Sequence, residues 1–300
     1  MIVVERKIDD SHYKELHMKK RLMTAIPLIA VVGLAFGLPG WYGATLFLLL
    51  SACMVICGCT EAFDMMLIEE RGKQQLCICG YAVLMLLSIC ARFYSFGIAL
   101  TALYIMLAFM LIFKEEPKRE NVTSVIVSLG IAMYICWNLF FMARVYFLNG
   151  VYDMEGRMLL LYMIVCTKMA DVGAYAIGSY TANRPRGNHK LSPRLSPKKS
   201  WEGLVGGTIF SVVAALAMLA IPGMTTYCGR PVFGIFSAII FGILASVIGL
   251  VGDLAESAMK RAAGLKDSGR VPGLGGMLDV LDSLIFVAPL YYAYVVSVLW

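Results

Sequence analysis

Long apolar runs, broken only by short polar stretches, are the strongest constraint on what this chain can fold into. A helix that crosses a bilayer needs about 20 consecutive, mostly apolar residues. Nine segments qualify: 22–38, 41–60, 76–91, 95–113, 122–143, 158–181, 203–222, 232–256 and 277–300. Hydrocarbon offers a backbone amide no partner, so such segments must satisfy their own hydrogen bonds as helices. Composition agrees: 60% of the 300 residues are apolar and 15% are charged, against ~45–50% and ~25% in soluble domains. A soluble enzyme and a disordered chain are both excluded. The expected fold is all-α, a polytopic integral membrane protein of about nine transmembrane helices. The first run follows a long charged leader with no small-x-small cleavage site, so it reads as an uncleaved anchor.

Charge gives the orientation. With a cytoplasmic N-terminus, 21 of the 26 Lys and Arg fall on the cytoplasmic side and four on the other, with Lys168 inside a span. That asymmetry obeys the positive-inside rule. The chain then divides into a basic cytoplasmic leader (1–21), N-terminal transmembrane helices (22–157) and a C-terminal catalytic transmembrane domain (158–300). Loops 182–202 and 257–276 of that last part face the cytoplasm and open onto a polar cavity. A net charge of +6, most of it between apolar runs, suits anionic lipid or a phosphorylated substrate. A nucleic-acid partner is not expected, since spans tie down both ends of each basic loop. Of the nine cysteines, eight lie in apolar stretches, and the pairs Cys57/Cys59 and Cys77/Cys79 are spaced too closely for a zinc site. They read as packing residues, and the N-terminal half as mainly apolar helix with unremarkable connections.

Ionisable residues at membrane depth are expensive, and in this sequence they collect in the second half. Asp279 and Asp282, three apart at the start of the last span, share one helix face. Gly275 and Gly276 just before them permit close approach of a backbone or ligand. Oxygen-only ligands point to a hard cation, with Mg²⁺ the usual partner of phosphates. Asp253, Glu256, Ser257 and Lys260 follow one another at spacings of three and four along the end of the eighth span, with Arg261 adjacent. Asp267, in the loop beyond, is placed to reach the same cation as Asp279.

In the other loop, Ser196 followed by Pro197 reads as a helix N-cap with proline at the first helical position. Lys198 and Lys199 would then oppose the dipole of that helix unless an anion neutralised them, which implies a phosphate site. Asp171, one turn after Lys168 inside the sixth apolar run, reads as the wall of a polar cavity. Neither a Ser/His/Asp constellation nor a Walker-type glycine loop occurs. This inventory fits metal-assisted phosphoryl or nucleotidyl transfer. A transporter fits less well, because the polar groups gather at one membrane face rather than at the midplane of repeated halves.

These residues resemble the phosphatidate cytidylyltransferase (CDP-diacylglycerol synthase) family. Its signature runs Ser-x-x-Lys-Arg, four residues, Lys-Asp, then Pro-Gly-His-Gly-Gly-x-x-Asp-Arg-x-Asp. The chain supplies Ser257, Lys260, Arg261, Lys266, Asp267, Pro272, Gly273, Gly275, Gly276, Asp279 and Asp282 in that order. The blocks around Asp171, His189-Lys190 and Ser196-Pro197-Lys198-Lys199-Ser200-Trp201-Glu202-Gly203 are also similar to the family. Leu274 stands where the family has His, Val280 where it has Arg, and the run between Asp267 and Pro272 is one residue shorter.

The resemblance implies that CTP and phosphatidic acid give CDP-diacylglycerol and pyrophosphate. It implies Mg²⁺ or another divalent cation on Asp267, Asp279 and Asp282, with Asp253 and Glu256 holding a second cation or orienting the first. Lys266 joins Asp267, Asp279 and Asp282 as catalytic. Substrate contacts are implied for Ser196, Lys198, Lys199, Ser200, His189 and Lys190, and for Ser257, Lys260, Arg261, Gly275, Gly276 and Asp171. Membrane lipid is the other partner, a homodimer is compatible with this reading, and short loops suit a bacterial inner membrane. The alternatives are a CTP-dependent lipid kinase, a cytidylyltransferase for another lipid, and a non-catalytic membrane transporter or partner.

Overall fold

The structure is a computed structural model that describes residues 26–66, 78, 80–83, 94–113, 118–150, 152–185, 187–265 and 276–300. In chain order its helices are α1 (Ile26–Gly37), α2 (Gly40–Met65), α3 (Tyr94–Phe113), α4 (Arg119–Tyr146), α5 (Met154–Ala182), α6 (Trp201–Leu219), α7 (Ile235–Ala262) and α8 (Met277–Leu299). Among the described residues, six of these (α2 and α4 to α8) are long and apolar enough to cross a membrane. The apolar run at 22–38 gives the shorter helix α1, and the run at 95–113 gives α3, whose apolar stretch among the described residues is Ala99–Met110. Most of the run at 76–91 lies outside the described residues, as do Cys77, Cys79 and Cys90.

The chain is a polytopic, all-α membrane protein with, among the described residues, two small exceptions in its loops. Strands β1 (Lys190–Ser192) and β2 (Ser196–Ser200) pair antiparallel between α5 and α6, and β3 (Thr226–Tyr227) and β4 (Arg230–Pro231) do so between α6 and α7. The turn at 193–195 lets the loop pair its own backbone groups, as any polar backbone held against a helix bundle must. In the second hairpin, Tyr227 Oη donates to Asp153 at 3.1 Å and the Cys228 amide to Glu155 at 2.7 Å. Partial burial and the neighbouring Asp153 carboxylate push the Tyr227 phenol above its ordinary pKa.

Large apolar side chains on the outer faces of α6 and α7, among them Val205, Ile209, Val213, Phe236 and Ile240, are more than half exposed. Water would penalise such a surface, whereas lipid chains accept it. With hydrocarbon outside there is no hydrophobic drive between helices, so close packing of small residues must hold them. The α5–α6 contact shows this: a Cβ at Gly206 would run into Ile177, and one at Gly173 into Phe210. Thr208 and Ser246 join α6 to α7 through a 3.1 Å hydrogen bond, and Tyr291 Oη donates to the Leu159 carbonyl at 2.6 Å to join α8 to α5.

Two features correct the expectation of an N-terminal half with plain connections. Arg157, read from sequence as a residue between spans, is fully buried at the start of α5. Its guanidinium donates to the Leu38 carbonyl and, at 2.9 Å, to the Gly40 carbonyl, with its carbon 4.9 Å from the Tyr146 ring centroid. It thereby closes the α1–α2 corner. The second feature is a π-helical turn, Met133–Trp137, inside α4. Asn138 Nδ2 donates to the carbonyls of Met133 (3.1 Å) and Tyr134 (2.7 Å) within that wider turn.

Because a planar fork holds two carbonyls at the corner, Arg157→Lys should not substitute. We expect it to lower stability by about 1–3 kcal/mol, read from thermal unfolding in detergent.

Candidate active site

Helices α7 and α8 bring three carboxylates together. Asp253 and Glu256 from α7 and Asp282 from α8 each offer an oxygen within 4.8 Å of the others. The approach depends on Gly252, where a Cβ would collide with the Asp282 carbonyl. Glu256 is 0% exposed and Asp282 6%, and Glu256 Oε1 has no hydrogen-bond partner among the described residues. Buried acids at this density need counter-charge. Lys260 Nζ supplies part of it, bonding Glu256 Oε2 at 2.8 Å and Asp279 Oδ1. Lys199, arriving on β2, pairs with Asp253 at 2.7 Å.

Asp279 stands one turn from the trio. Besides Lys260, its other oxygen accepts the Gly276 amide at 2.7 Å. Thus both aspartates of the last helix face α7, as their spacing predicts, but they meet different partners. On the other flank, Lys168 Nζ reaches Asp171 at 3.2 Å and Ser283 Oγ at 2.9 Å, and Ser283 Oγ donates to Asp171 at 3.1 Å. The pair inside α5 therefore belongs to the same wall as α8.

The loop 182–202 corrects one expectation. Ser196 does not cap a helix: residues Ser196–Ser200 form β2, and the helix begins at Trp201 with Ser200 as its cap. Ser200 Oγ accepts the Gly203 amide at 3.1 Å. The reason is electrostatic. This choice puts Glu202 in the first turn, where the dipole favours it, and leaves Lys198 and Lys199 outside the helix. The inference of an anion from lysines inside a first turn therefore does not hold, although Lys199 reaches the acid cluster by another route. Glu202 ties the hairpin down, accepting the His189 amide at 3.1 Å and meeting His189 Nδ1 at 2.7 Å.

Residues 19–298 match the cytidylyltransferase family. The chain belongs to the cytidylyltransferase family. Its relatives include the phosphatidate cytidylyltransferase of Haemophilus influenzae, 40% identical over 138 residues that cover 46% of this chain and 45% of the relative. The phosphatidate cytidylyltransferase of Staphylococcus saprophyticus is 40% identical over 137 residues, 45% of this chain and 48% of the relative. That of Staphylococcus aureus strain COL is 40% identical over 139 residues, again 45% and 48%. The chain thus spans about half the length of the curated relatives it matches.

In this cytidylyltransferase-family chain, Lys266, Asp267 and Gly275 lie outside the described residues, together with Leu274. Gly276 is the N-cap of α8. His189, Lys190 and Lys198 are exposed, while Ser196 and Ser257 are half-buried. Arg261 turns to backbone, donating to the carbonyls of Leu195 (3.3 Å) and Leu265 (3.1 Å), and so joins the β1–β2 turn to the end of α7. Ser283 went unnoticed because a serine in a transmembrane run carries no distinguishing signal. Glu61, on α2, did carry one: an acid directly at the end of an apolar run, inside the same helix. It is buried, and its carboxylate accepts the amides of Met277 and Leu278.

Removing Lys260 would strand Glu256 in the interior. Lys260→Met should destabilise the protein by ~3–5 kcal/mol, and the double variant Lys260→Met/Glu256→Gln should recover part of that loss. Thermal unfolding of the four proteins of the cycle measures the coupling.

Proposed function

We propose that this chain transfers the cytidylyl group of CTP to phosphatidic acid, giving CDP-diacylglycerol and pyrophosphate. The observation that carries the reading is the convergence of Asp253, Glu256 and Asp282 within 4.8 Å, ringed by Lys260, Lys199 and Lys168, in a family whose relatives bear that name. An oxygen of the lipid phosphate bonds to the α-phosphorus of CTP, and the bond from that phosphorus to the bridging oxygen of the β-phosphate breaks. Pyrophosphate leaves with that electron pair. The attacking oxygen already carries charge, so no protein base has to remove a proton.

The residues present fit a hard divalent cation. All three donors are carboxylates, and Glu256 Oε1 is buried without a hydrogen-bond partner among the described residues. Asp253, Glu256 and Asp282 would hold Mg²⁺, with Asp279 one helical turn away; Asp267, which the family resemblance implies as a further ligand, lies outside the described residues. When bound, such an ion neutralises phosphate charge and stabilises the leaving group. The chain's own lysines do the rest of the electrostatic work. Lys199 and Lys260 hold the carboxylates in place and offset repulsion between two polyanions, and Lys168 keeps Asp171 and Ser283 in register on the far wall. The exposed Lys190 and Lys198 extend the positive surface toward the triphosphate. The lipid headgroup meets this site at one membrane face while its chains stay in hydrocarbon. We place that face, with the N-terminus, on the cytoplasmic side of a bacterial inner membrane.

The test is formation of a CDP-lipid from labelled CTP and phosphatidic acid by purified protein in detergent, with and without Mg²⁺. Asp282→Asn and Asp279→Asn should each lower turnover at least about a hundredfold while the protein still folds. Undiminished turnover in either variant defeats that residue's assignment. A phosphorylated lipid with CDP as the second product overturns the reaction itself.

A further inference from the structure

A carboxylate 216 residues from the start of α8 holds that helix by its first two amides. Glu61 lies on α2 and is 3% exposed. One of its oxygens accepts the Met277 amide at 2.8 Å and the other accepts the Leu278 amide at 3.0 Å. The first amides of a helix have no partner within it. The N-cap here is Gly276, which has no side chain to offer them. Asp279 covers only the Gly276 amide, so the two that follow depend on α2. Leu278 is fully buried against α2, within van der Waals reach of a Cβ at Gly58.

We infer that Glu61 is a positioning residue of the candidate active site: by fixing the first turn of α8 against α2, it sets where Asp279 meets Lys260 and where Asp282 meets Asp253 and Glu256. The inference rests on the function proposed above for what it predicts about turnover, but not for the anchoring itself. Asp279 follows the second anchored amide directly, and Asp282 lies one turn further on. A first turn that unwinds or rotates would carry Asp279 away from Lys260. The lysine that pairs Glu256 would then lose one of its two acids.

The experiment compares the full-length protein with Glu61→Gln and Glu61→Ala in detergent, using three readouts. Hydrogen exchange at 277–278 should rise roughly tenfold or more in both variants, because two charge-assisted bonds are weakened or lost. Turnover per folded molecule should fall roughly ten- to a hundredfold in Glu61→Gln, with KM for CTP within about twofold, as for misplaced rather than missing groups. Acylation of the Lys260 amine, held at 12% side-chain exposure by its two acids, should become several-fold faster.

Unchanged exchange at 277–278 overturns the anchor. Faster exchange with unaltered turnover per folded molecule and unaltered Lys260 labelling reduces Glu61 to a helix cap and overturns the positioning role. If the unsubstituted protein makes no CDP-lipid, the proposed reaction falls, and Lys260 labelling alone then decides the inference.

Discussion

The ammonium group of Lys260 lies between an acid of its own helix and an acid of the next, and the site is organised around it. Glu256 has no exposure to water, so its charge survives there only with a partner. Lys260 supplies it from one turn away on α7 and bonds Asp279 on α8 with the same group. That shared contact fixes how the end of α7 meets the start of α8. Local charge is still unbalanced: Asp253, Glu256, Asp279 and Asp282 face Lys260 and Lys199, with Lys168 given to Asp171. Four acids against two bases leave a formal excess of acids among the described residues, in keeping with the cation proposed above.

What could be read from the sequence follows from how local each interaction is. The spans were legible because a membrane demands length and apolarity within one continuous run, and six of them stand as helices of the expected extent. The common facing of Asp279 and Asp282 was legible because helical spacing decides it. The sequence points to a cap at Ser196 rather than Ser200 because several serines of the same loop satisfy the same grammar. Only the sign of the charges in the following turn separates them, and Glu202 three residues before Val205 outweighs a proline at 197. Arg157 reads as a residue between spans because the apolar run begins at 158. Its partners are backbone carbonyls 117 and 119 positions earlier, and no local pattern announces them. Ser283 belongs to the same class, and for Glu61 the sequence marks the acid but not its partners on α8.

Those long-range contacts share a cause. In hydrocarbon a polar group cannot fall back on water, so every one left over by a helix end, a wide turn or a buried charge must find a protein partner. Arg157 answers the carbonyls at the α1–α2 corner, Asn138 those of the π turn, and Glu61 the amides of α8. The N-terminal helices are therefore more than a lipid-facing annexe to the second half. They complete hydrogen bonds that α8 cannot complete itself.

The dipoles of the two site helices point the same way as the side-chain pairing. Lys260 and Arg261 occupy the last turn of α7, whose carbonyl end is negative, and Asp279 occupies the first turn of α8, whose amide end is positive. Glu61 adds a second negative group to that amide end from outside the helix. Each side chain is thus stabilised by its own helix terminus and by the charge that crosses to it, so the contact needs no water to sustain it. An antiparallel helix pair must bring one end of each kind to the same membrane face. Where the end of α7 meets the start of α8, Lys260 and Asp279 each sit at the helix terminus whose partial charge suits them.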